Sequence, residues 1–257
     1  MHRTYQDKTV LITGASSGIG AEFARQLHAQ GAQLILTARS VDRLRKVQAA
    51  CPGSVVIPGD LTDPGFPARL HAIATGNGRQ VDILINNAGY GYYGRFHEGD
   101  LTWQLNMIQL NIASLTDLTY RFLPQMLDRP EDGCGVINVA SVAGFLPVPH
   151  FTVYAATKAY VMNFSQALWQ ELQGQGVTVT CLSPGFTRTN FQSVANGTGG
   201  RYFEQEPAAV VQSALKAFQR GRRLVVTGAF NKLAAVLMRL MPTGLMMKAA
   251  GRAMKRA

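Results

Sequence analysis

The chain has little charge, and at one end it has no acid at all. Only 16% of its 257 residues are charged, while 47% are apolar. That composition buries a large core and excludes disorder as the main state. Beyond Glu206 there is no carboxylate. Residues 207–257 carry ten of the 25 Lys and Arg, whereas residues 1–206 balance 15 basic against 15 acidic side chains. The net charge of +10 therefore belongs to the last fifth of the chain, which argues against nucleic-acid binding by the whole fold. Cysteine is scarce. Cys51, Cys134 and Cys181 are scattered and form no CxxC pair, so neither a disulfide framework nor a metal site is expected, and a reducing compartment is favoured. No run of 18 uncharged apolar residues suggests a membrane-spanning helix, and the first eight residues carry no signal-peptide apolar stretch. A cytoplasmic location is expected, with a membrane-peripheral contact through the basic end as an addition to it.

Short apolar runs alternate with helical patterns. Strands are predicted at residues 10–12, 34–36, 55–57, 81–85, 136–139, 177–181 and 224–226. Helices are predicted at about 18–30, 41–49, 101–127, 151–172 and 207–220, and an apolar one at 231–241. Strands that do not alternate in polarity and are separated by helices imply a parallel sheet covered on both faces. The fold class expected is α/β, a doubly wound, Rossmann-like seven-stranded parallel sheet with a C-terminal basic helical tail. Residues 1–228 read as one nucleotide-binding domain and 229–257 as its extension. No repeat or low-complexity linker divides them, and the longest irregular stretch, 184–206, reads as a substrate lid.

The first strand runs into Gly14, Ala15, Ser16, Ser17, Gly18, Ile19 and Gly20. Glycines at this spacing let the backbone turn tightly and approach a pyrophosphate, which sits on the N–H groups of the helix beginning near Gly18. An acid that would hold a ribose 2′-hydroxyl is missing at the end of strand two, where Ala38 and then Arg39 stand. Arg39 can pair with a 2′-phosphate, with Ser16 adding a hydrogen bond, so NADP(H) is expected in preference to NAD(H). Asp60 and Leu61 follow strand three. Asp60 either accepts from the adenine amino group or caps the next segment. Asn87, Ala88 and Gly89 close strand four, either as a simple turn or as small residues that admit the adenine-ribose side of the cofactor.

Ser141 ends the run 136–141, and Tyr154 and Lys158 follow at helical i, i+4 spacing, which sets them on one helix face. An ammonium beside a phenol favours phenolate and lowers the tyrosine pKa, which makes the phenol a usable proton donor near neutral pH. Taken together, TGASSGIG, NNAG, a strand-end serine and YxxxK make the chain similar, over about residues 6–228, to the compact single-domain members of the short-chain dehydrogenase/reductase superfamily. The look is nearest to hydroxysteroid dehydrogenase and 3-oxoacyl reductase-like members. The resemblance implies a catalytic tetrad of Asn111, Ser141, Tyr154 and Lys158, with Asn111 holding a water that links Lys158 to solvent. It implies that Tyr154 protonates a carbonyl oxygen while NADPH delivers hydride to the carbon, and that Lys158 also binds the nicotinamide ribose. It further implies that Pro184, Gly185 and Thr187 contact the nicotinamide carboxamide and phosphate. Relatives are usually homodimers or homotetramers built on the helices around 101–127 and 151–172.

The segments that should wall the substrate pocket are rich in apolar and aromatic side chains. Tyr92, Phe145, Val148, Phe151, Phe186 and Phe191 are the candidates for substrate contact. The activity expected is NADPH-dependent, reversible reduction of an apolar, lipid-, steroid- or acyl-like ketone. The alternative is a non-catalytic NADP-binding sensor that recruits a partner through its tail. Beyond residue 244 the pattern is amphipathic. Lys248, Arg252, Lys255 and Arg256 lie on one face and methionines on the other, which suits a subunit interface, a lid, a membrane surface or an acidic carrier.

Overall fold

The computed structural model describes residues 4–130, 133–191, 195, 204–240 and 244. Seven strands form one sheet: β1 (Thr9–Thr13), β2 (Gln33–Thr37), β3 (Val55–Val56), β4 (Ile83–Asn86), β5 (Gly135–Val139), β6 (Thr178–Ser183) and β7 (Leu224–Val226). Their order is β3-β2-β1-β4-β5-β6-β7, and every neighbouring pair is parallel. The chain runs outward from β1 to β3, returns to β4 and then runs outward the other way. That reversal opens a crevice between the carboxyl ends of β1 and β4, where ligands bind in folds of this kind.

The helices are α1 (Gly18–His28), α2 (Val41–Ala50), α3 (Phe66–Ala74), α4 (Leu101–Ile108), α5 (Ser114–Leu127), α6 (Thr152–Glu171), α7 (Pro207–Gln219) and α8 (Ala229–Leu240). Successive strand residues point to opposite faces of the sheet. Val10 and Ile12 pack with Phe23, Leu27, Leu44 and Phe218 on one side. Leu11, Leu84 and Val136 pack with Leu70, Phe122 and Met126 on the other. Parallel strands must bury both faces, which is why these runs carry no polar alternation. Cys51, Cys134 and Cys181 are buried thiols.

Two elements differ from the expectations. Helix α3 was not foreseen. Its short stretch Phe66–Ala74 mixes Pro67, Arg69 and His71 with the apolar residues, and burial of Phe66, Leu70 and Ala74 against the sheet is what stabilises it. The single long helix expected at 101–127 is interrupted by a π turn at Gln109–Ala113, centred on the buried Asn111. Such turns gather at functional sites.

Among the described residues, no helix is long and apolar enough to cross a membrane. The basic face predicted beyond 244, and residues 192–194 and 196–203 of the lid expected at 184–206, lie outside the described residues.

Candidate active site

The turn after β1 is glycine-dependent in detail. Gly14 and Gly18 have φ of +63° and +53°, a conformation that side-chain-bearing residues rarely adopt. A Cβ on Gly20 would collide with the Gly14 carbonyl. Ser17 occupies the N-cap of α1 in extended conformation, yet its side chain makes no capping bond, and the first turn holds no acid. The first N–H groups of α1 are thus left to a ligand, and the missing Cβ atoms leave room for its approach. These features fit a dinucleotide pyrophosphate. Ile19 packs its side chain on the core beneath, and Ser16 is half-buried at the rim.

The turn after β4 is locked to this one. Thr13 Oγ1 accepts from the backbone N–H groups of Asn87 and Ala88, both at 3.0 Å. Asn87 Nδ2 donates to the carbonyls of Thr13 and Gly14 at 2.9 and 3.2 Å. Asn87 therefore holds the glycine turn in shape. Gly89 is small for a local reason: a Cβ there would lie 2.9 Å from Asn111 Oδ1 and 3.4 Å from Lys158 Nζ.

At the end of β2, Arg39 faces Asp60 across 3.9 Å, and both side chains are largely exposed. The other Asp60 oxygen accepts from the Thr62 N–H at 2.9 Å, a local turn bond that fixes the loop after β3. Leu61 turns its side chain into the core, and its carbonyl accepts from the Ser114 hydroxyl.

Ser141 stands just past β5, and its Oγ accepts from the Ala143 N–H at 3.2 Å. Lys158 is 4% exposed and donates to the Val139 carbonyl at 2.9 Å. Its Nζ lies 5.7 Å from the centroid of the Tyr154 ring. The expected lowering of the Tyr154 pKa is not what the cofactor-free site shows. Burial pushes Tyr154 up to about 12, opposed by its hydrogen bond with Ser141. Burial also pulls Lys158 down to about 8. Loss of water disfavours both charged forms. The phenol accordingly keeps its proton, the state a proton donor requires.

Asn111 uses its whole amide on protein partners. Nδ2 donates to the Tyr90 carbonyl and to Thr157 Oγ1, both at 3.0 Å, and Oδ1 accepts from the Tyr90 N–H at 3.2 Å. It therefore ties the loop after β4 to helix α6.

Aromatic rings enclose Tyr154. Phe151 meets it edge-on at 5.1 Å between centroids, and Phe191 lies at 5.3 Å. Tyr92 packs in the same group. Backbone bonds join the walls of this pocket: the Tyr93 N–H reaches the Ala195 carbonyl at 2.8 Å, and the Gly94 N–H reaches the His150 carbonyl at 2.9 Å. Val148 is half-buried in the wall, and Phe186 is 48% exposed. Phe145 lies apart from this group. It packs with Val161, Met162 and Cys181 in a separate cluster, where the turn after Ser141 leans on α6.

The Pro184–Gly185 turn is fastened to the serine turn, since the Val142 N–H donates to the Pro184 carbonyl at 3.0 Å. Thr187 is buried, and its hydroxyl donates to the Gly185 carbonyl at 3.0 Å. Sequence reasoning missed Thr189. Its side chain lies over the glycine turn, 3.0 Å from where a Cβ of Gly18 would be, beside a hollow of about 350 Å³ that Arg188 and Pro207 also line. Nothing in the local sequence marks it, because the contact joins residues far apart in the chain.

Comparison with known proteins agrees with this architecture. The family model described as short chain dehydrogenase matches residues 8–199. A zebrafish (Danio rerio) protein, dehydrogenase/reductase SDR family member 7B, is 32% identical over 256 residues, covering 91% of this chain and 81% of its own. A short-chain dehydrogenase from Sphingobium yanoikuyae, solved with NADPH, is 32% identical with a TM-score of 0.79, covering 91% of this chain and 95% of its own. The bulky-bulky ketone specific alcohol dehydrogenase from Comamonas testosteroni is 30% identical with a TM-score of 0.75, covering 91% and 93%. With a nucleotide cradle at the sheet's switch point and a buried Ser–Tyr–Lys cluster beside it, this chain belongs to the short-chain dehydrogenase/reductase family of oxidoreductases.

Proposed function

We propose that the protein is an NADPH-dependent reductase of an apolar ketone or acyl-type carbonyl, reversible as an alcohol dehydrogenase. The observation that carries this reading is the Tyr154 phenol, 7% exposed, hydrogen-bonded to Ser141 and enclosed by Phe151 and Phe191. A proton donor set among aromatic rings suits a carbonyl carried on an apolar body. The NADPH complex of the Sphingobium enzyme and the bulky-ketone specificity of the Comamonas enzyme support the same class.

The chain's own residues divide the work. The free N–H groups of α1 and the glycine turn bind the pyrophosphate, and Pro184, Gly185 and Thr187 position the nicotinamide end. A bound nicotinamide supplies the hydride in reduction and takes it up in the reverse direction. Tyr154 gives its phenolic proton to the carbonyl oxygen. Ser141 donates a hydrogen bond to the same oxygen, which stabilises negative charge as it develops there. The Lys158 ammonium lowers the cost of the phenolate left on Tyr154. Asn111 keeps the Tyr90 loop and α6 in register, so that these groups converge.

Arg39 supports NADPH over NADH. Its pairing with Asp60 is long and solvent-exposed, worth about 1 kcal/mol or less, so the guanidinium is free to turn to a 2′-phosphate. A homo-oligomer is part of the same reading. Leu101, Leu105, Ile108 and Tyr120 are exposed on α4 and α5, beside the stacked pair Tyr160 and Phe164 on α6. The buried cysteine thiols suit a reducing, cytoplasmic setting.

The test is NADPH oxidation by the purified protein across a panel of hydrophobic ketones. Turnover is expected with at least one bulky ketone, and the NADPH-to-NADH ratio of kcat/KM should fall by about tenfold or more in Arg39→Ala, the scale of one lost charge-assisted bond. NADPH binding with no turnover across the panel would favour a sensor instead.

A further inference from the structure

Helix α8 leaves an apolar face uncovered on the side turned from the protein. Leu233, Val236 and Leu237 are 61%, 55% and 46% exposed. At 100° per residue these three positions fall within an arc of about 100°, with the exposed Lys232 at its edge. The opposite side is the packed one. Ala235 is 6% exposed, and Asn231 donates to the Thr227 carbonyl at 2.9 Å.

The charge on this part of the chain has one sign. Residues 229–257 contain Lys232, Arg239, Lys248, Arg252, Lys255 and Arg256, and no Asp or Glu. Two copies brought face to face here would set like charges against one another. An anionic surface would be attracted, and a fluid apolar layer beneath it would take up the three exposed aliphatic side chains. An exposed apolar arc with a basic margin, on a helix too short to span, is the composition of a helix that lies in a membrane interface.

We infer that α8 docks the protein on an anionic lipid bilayer, with Leu233, Val236 and Leu237 in the headgroup–acyl boundary and Lys232 at the margin against the lipid charge. The position of α8 gives this contact a consequence. A Cβ on Gly185 would run into the Asn231 amide, so the helix is seated on the Pro184–Gly185 turn. It also packs against the turn Val142–Phe145 that follows Ser141. Docking therefore sets the rim of the Tyr154 pocket close to the lipid surface, where an apolar ketone partitions. This consequence rests on the reductase reading; the contact itself does not.

The contact is tested by co-sedimentation of the full-length protein with phosphatidylcholine vesicles prepared with and without phosphatidylserine. Binding should need phosphatidylserine, fall about tenfold or more when salt is raised, and fall by a similar factor in a Leu233→Asp, Val236→Asp double variant. The wild-type lipid and salt dependences need no variant. For the variant, circular dichroism and turnover of a water-soluble ketone should be unchanged. No binding to either vesicle, or equal binding by wild type and folded variant, overturns the contact. So does a variant that changes oligomeric size or capture of an acidic carrier protein while vesicle binding is unaffected. Failure of vesicle binding with ketone turnover intact removes the contact and leaves the reductase reading standing; binding without turnover does the reverse.

Discussion

Tyr154 and Lys158 are one helical turn apart and both buried, so loss of water acts on them in opposite directions. The phenol is held protonated, pushed up to about 12, and the ammonium is made easier to deprotonate, pulled down to about 8. Keeping a buried ammonium costs the folded protein stability at neutral pH. The sign follows from proton counting. Between about pH 8 and the ordinary lysine value of 10.5, the unfolded chain still holds a proton that the folded one has released, so stability rises with pH in that window. Lys158→Met should therefore melt higher than wild type at pH 7, by about 1–3 kcal/mol after loss of the bond to the Val139 carbonyl, and the gap should close as pH rises toward 10. Melting curves of the cofactor-free protein and the variant at several pH values read this directly. A variant that is less stable than wild type at every pH contradicts it.

The elements divide the molecule into an end that reacts and an end that holds. Gly14, Asn87 and Ser141 follow the carboxyl ends of β1, β4 and β5. At the opposite ends, Asp82 pins three strands. It accepts from the Thr9 N–H at 2.8 Å and from Arg129 at 2.6 Å, and its carbonyl accepts from the Gly135 N–H at 2.9 Å. Asp82→Ala removes one partner of a largely buried ion pair and should cost about 3–5 kcal/mol in denaturant unfolding, with kcat/KM near wild type at temperatures where the variant is folded. An equal loss of activity and stability would place the pin in the reacting end. The elements also show what a linear reading can reach. The seven strands were legible because a doubly covered parallel sheet demands unbroken apolar runs, and the glycine turn because close backbone approach demands glycine. The π turn was not legible: Gln109, Leu110, Asn111, Ile112 and Ala113 read as ordinary helix, and only the Tyr90 and Thr157 partners of Asn111 reveal the break. Helix α3 is too short and mixed to stand out without the sheet beneath it. Thr189 and the packing of Phe145 depend on contacts across the fold.

The molecule as a whole is a charge-balanced body with a one-signed end. Residues 1–206 carry equal numbers of acids and bases, and the excess of ten follows Glu206. Among the described residues, the exposed apolar faces of α4–α5 and of α8 are separable. The face of α4 and α5 around Leu105 and Tyr120, exposed by 54% and 79%, belongs to the balanced body and is the proposed subunit interface. Leu105→Asp with Tyr120→Asp should reduce the size seen in sedimentation velocity to that of one chain while leaving vesicle binding unchanged. An assembly that resists the double change would move the interface elsewhere. In the pocket that body encloses, Tyr154 is the proposed proton donor to a carbonyl. The most direct measurement of that role is single-turnover NADPH oxidation with a bulky ketone, wild type against Tyr154→Phe, with NADPH affinity measured alongside. The account predicts a loss of about a hundredfold or more in rate with NADPH affinity largely kept; a variant that reduces the ketone at the wild-type rate would contradict it.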